Sequence, residues 1–156
     1  MFMKTKAGIG MLFIGAALAF TSCGGGSSTE GETAPPPESM VAEEVDPMKS
    51  IGIGPISSVE LGEVDAEMAA AGEAVYNQMC TACHKAEVKY IGPSPKGILD
   101  RRTPEWVMNM ILNPEEMIQK DPTAKKLLAE FNGAPMANQN LTEEQARQVL
   151  EYFRTL

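Results

Sequence analysis

Cys80-Thr81-Ala82-Cys83-His84 places two thiols three residues apart and an imidazole directly after the second. On a helical turn, each cysteine can add to one vinyl group of a porphyrin. The next residue then projects beneath the ring, where its imidazole reaches the iron. This is the pattern of covalent c-type haem attachment, with Cys80 and Cys83 as thioether residues and His84 as fifth ligand. Cysteine pairs at this spacing also occur in dithiol redox sites and zinc sites. A thioredoxin-like dithiol needs a βαβ pattern, and none is visible. A structural zinc site needs two more ligands, and with Cys23 otherwise used, no further Cys or His exists to supply them.

His84 is the only histidine of the chain, so a second imidazole cannot fill the sixth iron position. A methionine thioether is the natural candidate, and His/Met ligation raises the reduction potential. Of the 11 methionines, Met1, Met3 and Met11 fall in an N-terminal signal, and Met40 and Met48 in a polar tether. Met68, Met79, Met108, Met110 and Met117 fall in predicted helices, where methionine commonly fills core gaps. Met136 lies in a Gly/Pro/Asn loop just after Pro135, between two helices. It is the expected sixth ligand, opposite His84. The alternative is a mobile loop residue beside an open iron.

The elements that must carry these groups read as all-α. Asp65 is an expected N-cap for a helix to about Met79, with Met68, Gly72, Val75, Tyr76 and Met79 on one face. Thr103-Pro104 starts a second helix bearing Trp106 and Met110. Asn113-Pro114-Glu115-Glu116 starts a third, and Asp121-Pro122 a fourth with Leu127, Leu128 and Phe131 on its apolar side. Thr142-Glu-Glu-Gln145 is a capping box for the last, with Ala146, Val149, Leu150 and Phe153 at helical spacing. Tyr90 to Pro95 and Gly133 to Asn140 are loops. No alternating strand pattern and no internal repeat is present.

The N-terminus reads as an export signal over residues 1–22. Lys4 and Lys6 precede the apolar stretch Gly8 to Phe20, which is shorter than the ~20 residues that span a bilayer. Phe20-Thr21-Ser22-Cys23 resembles a bacterial lipobox, with Phe20 where leucine is usual, and implies lipidation at Cys23. Residues 23–50, with Gly-Gly-Gly-Ser-Ser and Pro35-Pro36-Pro37, have little to bury and form an expected disordered tether. About 40 residues to the first helix span ~35 Å root-mean-square. Residues 51–64, punctuated by Ile51, Ile53, Ile56, Val59 and Leu61, read as an extended strap on the folded part, residues 65–156.

With 156 residues, one compact domain is expected. Acidic side chains outnumber basic ones 21 to 13, for a net charge of −8, which argues against nucleic-acid binding. Loss of Lys4 and Lys6 with the signal leaves −10. That charge would favour partners with basic docking surfaces. Equally, the carboxylates could sit in the tether and at helix N-termini, serving solubility and capping.

Taken together, Gly72 and Tyr76, the Cys80–His84 motif, Gly92-Pro93, the Trp106 helix, the Met136 loop and Val149-x-x-Tyr152 resemble a class I monohaem cytochrome c. The likeness covers roughly residues 65–156, and its elements come in the family's order. The strap resembles an N-terminal extension of a bacterial subgroup that shuttles electrons from a quinol-oxidising complex to a haem–copper oxidase. Similar chains accompany nitrous oxide reductase. The resemblance implies about five helices around one haem c. It implies that Gly72 and Tyr76 cross the last helix at Val149 and Tyr152, and that the Pro93 carbonyl accepts a hydrogen bond from His84. It further implies propionate contacts from Trp106 and from Arg101 or Arg102.

The expected function is therefore one-electron transfer by a monomeric, lipid-anchored carrier on the periplasmic side of a bacterial membrane. It would pass electrons between membrane-bound redox complexes and would not be an enzyme. Iron held on both axial sides does not readily bind oxygen or peroxide, which separates a carrier from the alternative: a haem enzyme or gas sensor with an open sixth position.

Overall fold

The computed structural model describes residues 46–156. The signal, Cys23 and nearly all of the tether lie outside the described residues. Among those described there are five α-helices and no strand. They are α1 (Ala66–Met79), α2 (Pro104–Leu112), α3 (Pro114–Lys120), α4 (Pro122–Glu130) and α5 (Glu143–Phe153), with a 3-10 turn at Ile98–Asp100 before α2. None is long and apolar enough to cross a membrane.

Local chemistry sets the helix starts. The Asp65 carboxylate accepts from the N–H groups of Glu67 and Met68, and Thr103 Oγ1 accepts from Trp106 N–H. Asp121 accepts from Ala124 N–H, and Thr142 with Gln145 closes a capping box in both directions. Each such cap satisfies an N–H that the helix itself leaves unpaired. Asn113 departs from expectation: its side chain makes no capping bond to α3. Its amide donates instead to Ile53 O at 3.2 Å and to Glu116 Oε2 at 2.9 Å. Holding the strap takes the side chain that would have capped the helix.

α1 crosses α5 with its backbone almost in contact. A Cβ on Gly72 would lie 1.9 Å from the Gln148 carbonyl oxygen and 2.9 Å from Val149 N, so only glycine fits the crossing. Next to it, the Tyr76 ring packs 5.3 Å from Tyr152 and edge-on at 5.7 Å to Phe153. Ala69, Gly72 and Tyr76 form the buried face of α1, while Met68, Val75 and Met79 are half-buried. The same junction contains Glu151, which is fully buried. It accepts from Asp65 N–H at 2.8 Å, from Arg154 at 2.6 Å and from Arg147, and Arg154 also reaches Gly62 O.

The strap lies over α2 and α3. The fully buried Asn109 holds it by donating to Ile51 O and Ile56 O and accepting from Ile56 N–H, all at 2.8–2.9 Å. Ile53 N–H points at Met117 Sδ at 3.0 Å, and Val59 N–H donates to Glu105. Ser50 is held with the strap, its carbonyl accepting from Thr103 Oγ1 at 2.6 Å. Ile56 anchors it in one apolar cluster with Trp106, Val107, Ile111, Met117, Val149 and Leu150. Burying such a side chain is worth about 1.5–3 kcal/mol.

Candidate functional site

α1 ends at Cys80, whose N–H still bonds to Tyr76 O. Cys83 N–H and His84 N–H then both donate back to Cys80 O, at 3.1 and 2.9 Å. This single turn sets the two thiols and the imidazole at the end of the helix. Thr81 Oγ1 ties the turn to Asn77 O at 2.9 Å. Neither thiol is in a disulfide; Cys80 is half-buried and Cys83 exposed. Burial pushes the Cys80 thiol up to about 11, so it is held protonated in apolar surroundings.

The imidazole is fixed from behind. His84 Nδ1 lies 2.8 Å from the Pro93 carbonyl oxygen. A carbonyl can only accept, so Nδ1 carries a hydrogen, which leaves Nε2 as the ring nitrogen available to a metal. The loop reaches this position because Gly92 N–H donates to Cys83 O at 2.8 Å. A Cβ on Gly92 would stand 2.4 Å from His84 Cε1, so the backbone itself is the surface against which the ring lies.

His84 faces a cavity of about 230 Å³ whose wall is mostly apolar and includes side chains of all five helices. Tyr76 and Met79 come from α1, Trp106, Val107 and Met110 from α2, Ile118 from α3, Leu127 and Leu128 from α4, and Val149 and Phe153 from α5. Every expected site residue within the described chain lines it: Cys80, Cys83, His84, Pro93, Arg101, Arg102, Trp106 and Met136. Met136 enters from the loop between α4 and α5 and is half-buried, packed against the central cluster. Met79 and Met110 share the wall. Cys23 lies outside the described residues.

The polar residues of the wall divide their roles. The only N–H of the Trp106 indole donates to Asp121 Oδ1 at 3.1 Å. The indole therefore enters the wall as an apolar ring. Arg101 donates to Ser94 O, Lys96 O and Gly97 O and so clamps the loop after Pro93. Arg102 lies over the Trp106 ring at 5.2 Å, and its buried Nε–H has no partner. Burial, then the neighbouring Arg101 charge, lowers the Arg102 guanidinium from its ordinary value against the opposing pull of Asp121 and Glu130. An unpartnered buried cationic donor is costly, and a carboxylate in the cavity would satisfy it.

The residues present fit a covalently held haem. Two free thiols and one oriented imidazole open on one apolar cavity with a thioether-bearing loop and an arginine donor on its wall. Among the described residues, no cluster of three His, Cys, Asp or Glu side chains could hold a bare metal ion.

Comparison with known proteins agrees with this geometry. The family model described as Cytochrome c matches residues 69–156. Cytochrome c2 of Rhodopseudomonas palustris is 27% identical over 123 residues, covering 64% of this chain and 88% of that protein. The structure of cytochrome c from Rhodothermus marinus is 46% identical and superposes with a TM-score of 0.63, covering 65% of this chain and 88% of that one. An engineered form of the Rhodothermus protein bound to a carbene intermediate is 45% identical, with a TM-score of 0.60 over 65% and 88% of the two chains.

Proposed function

The chain belongs to the cytochrome c family, and on that premise we propose that it is a membrane-tethered electron shuttle between respiratory complexes. The family's cofactor is haem c held through a cysteine pair, here Cys80 and Cys83, and its general role is electron carriage. When bound, the haem supplies reversible one-electron exchange.

The observation that carries the reading is that His84 and Met136 both line one largely apolar cavity. His84 presents Nε2 in a fixed orientation because Pro93 O holds Nδ1–H, and such a bond raises the basicity of a ligating imidazole. Met136 supplies the thioether for the other side. Side chains from all five helices make the wall mostly apolar, and Arg102 offers its unpartnered donor to a propionate. A carrier needs iron that would be held from both sides, whereas a haem enzyme or gas sensor needs an open position.

Residues 81–102 carry Lys85, Lys89, Lys96, Arg101 and Arg102 against only Glu87 and Asp100. Acidic side chains gather elsewhere, at helix starts such as Asp65, Glu67, Glu105, Glu115, Glu116, Glu143 and Glu144. There they serve capping and the helix dipole. The loop beside the cavity also exposes Val88, Tyr90 and Ile91, and Lys85 lies over the Tyr90 ring at 5.2 Å. Lys89 and Lys96 are paired with Glu130 and Glu87, so this loop offers a redox partner an exposed apolar patch rather than a free basic rim. Lipidation at Cys23, with the tether, would hold the carrier near membrane-bound donors and acceptors at high local concentration on the periplasmic side.

Exogenous-ligand binding and redox titration test the reading. The native protein should exclude cyanide and carbon monoxide, while Met136→Ala should bind them and show a lower potential. Ready binding by the native protein would favour an open-site haem enzyme or gas sensor. Unchanged exclusion by the variant would move the ligand to another methionine.

A further inference from the structure

Asp121 caps α4, but capping accounts for only part of what it does. Its carboxylate is 4% exposed. Oδ1 accepts from Ala124 N–H at 2.8 Å, which is the cap, and also from the Trp106 indole N–H at 3.1 Å. Oδ2 accepts from Ser50 Oγ at 3.4 Å. One buried carboxylate thus joins the strap, α2 and α4. It touches the cavity wall through Trp106, which is 3% exposed and lies beneath the Arg102 guanidinium.

Two physical consequences follow. The indole is pinned by its only donor, so its ring cannot turn within the wall beneath Arg102. A charge behind the wall, shielded from water, also acts through a low effective dielectric on any charge placed inside. Ferric haem carries one positive charge more than ferrous haem, so a buried anion favours the oxidised state.

We propose that Asp121 is a positioning residue of the redox site: it fixes Trp106 in the haem-facing wall, and its negative charge lowers the reduction potential. The proposal rests on the electron-carrier reading. Asp121 is not itself in contact with the cofactor and acts through Trp106 and through its field.

The test uses the haem-loaded protein with three variants. Asp121→Asn keeps size, a carbonyl acceptor and a good N-cap residue while removing the charge. Asp121→Ala removes the acceptor as well. Glu115→Gln removes an exposed carboxylate on α3 as a control for net charge. Reduction potential and the indole ¹H–¹⁵N resonance of Trp106, the chain's only tryptophan, are measured for each. The potential of Asp121→Asn should rise beyond that of Glu115→Gln, with the indole resonance showing a retained hydrogen bond. A tenfold shift in the one-electron equilibrium would read as ~59 mV. In Asp121→Ala the indole resonance should move and its exchange with deuterium should quicken several-fold. A potential in Asp121→Asn equal to that of the control, or an unmoved indole resonance in Asp121→Ala, overturns the proposal. A native protein without reversible one-electron chemistry defeats the carrier reading instead, and the indole resonance still reports on positioning.

Discussion

Gly92 and His84 are in van der Waals contact through the space where a side chain would be: a Cβ on Gly92 would come within 2.4 Å of His84 Cε1. The contact explains why the loop can bring the next carbonyl, that of Pro93, onto Nδ1. Gly92→Ala should push the ring away from that carbonyl. Overpacking of this kind costs about 1–3 kcal/mol. The expected outcome is a lower yield of haem-loaded protein and a lower thermal midpoint, measured by absorbance and calorimetry. Native-like values for both would show that the ring is not braced by the backbone.

Glu151 is the charged centre of the α1–α5 junction. Burial, the largest single influence, pushes its carboxyl up, but bonds from Arg147, Asp65 N–H and Arg154 outweigh it and hold the carboxyl below its ordinary range. Its contribution to stability is complete above the unfolded value of ~4.3 and is lost as pH falls through the depressed native value. Glu151→Ala should destabilise the protein by about 3–5 kcal/mol at neutral pH, since it strands two partly buried guanidinium groups. Denaturant unfolding should show the gap between variant and native narrowing in acid. A gap that stays constant with pH would contradict the ionised network.

Tyr76 has a buried hydroxyl with no hydrogen-bond partner. Burial, then Cys80 and Tyr152, raises its ionisation from 10.0 to about 12. The fold favours the neutral phenol, so this contribution is intact below the unfolded value and is lost as pH climbs toward 12. Tyr76→Phe removes the buried hydroxyl and should leave stability at neutral pH unchanged or higher by about 1 kcal/mol. It should also flatten part of the alkaline decline. Unfolding free energies at pH 7 and pH 11 check this, and a marked loss at pH 7 would mean that the hydroxyl has a partner in the loaded protein.

Cys23 lies outside the described residues, so its role is tested chemically. Cys23→Ser should yield a haem-replete protein that no longer sediments with membranes. Continued membrane association of that variant would show that the lipid assignment is wrong.

What could be read from the chain was mostly local. Asp65, Thr103, Asp121 and Thr142 mark helix starts because a cap bonds two or three residues ahead, within reach of inspection. The Cys80–His84 turn and the Met136 loop were legible for the same reason: the chemistry sits in consecutive residues or in plain loop composition. Long-range partners were hidden. Asn113 looked like a cap, but Ile53 O, 60 residues away, holds its amide. The Asp121 carboxylate on the Trp106 N–H, 15 residues away, carries no mark in the sequence. Asn109, Met117 and Glu151 carried no sequence signal, because their partners are strap or junction backbone groups that only the fold brings near. Gly92 was noticed beside Pro93, yet its packing against His84 depends on a ring position that no spacing rule supplies.

The central claim is an iron held by His84 on one side and a methionine sulfur on the other. The most direct measurement is the optical spectrum of the oxidised native protein alongside that of Met136→Ala. A far-red sulfur-to-iron band in the native protein, absent from the variant, is the predicted result. A native protein carrying covalent haem but no such band would contradict the ligand assignment, and with it the closed-site carrier.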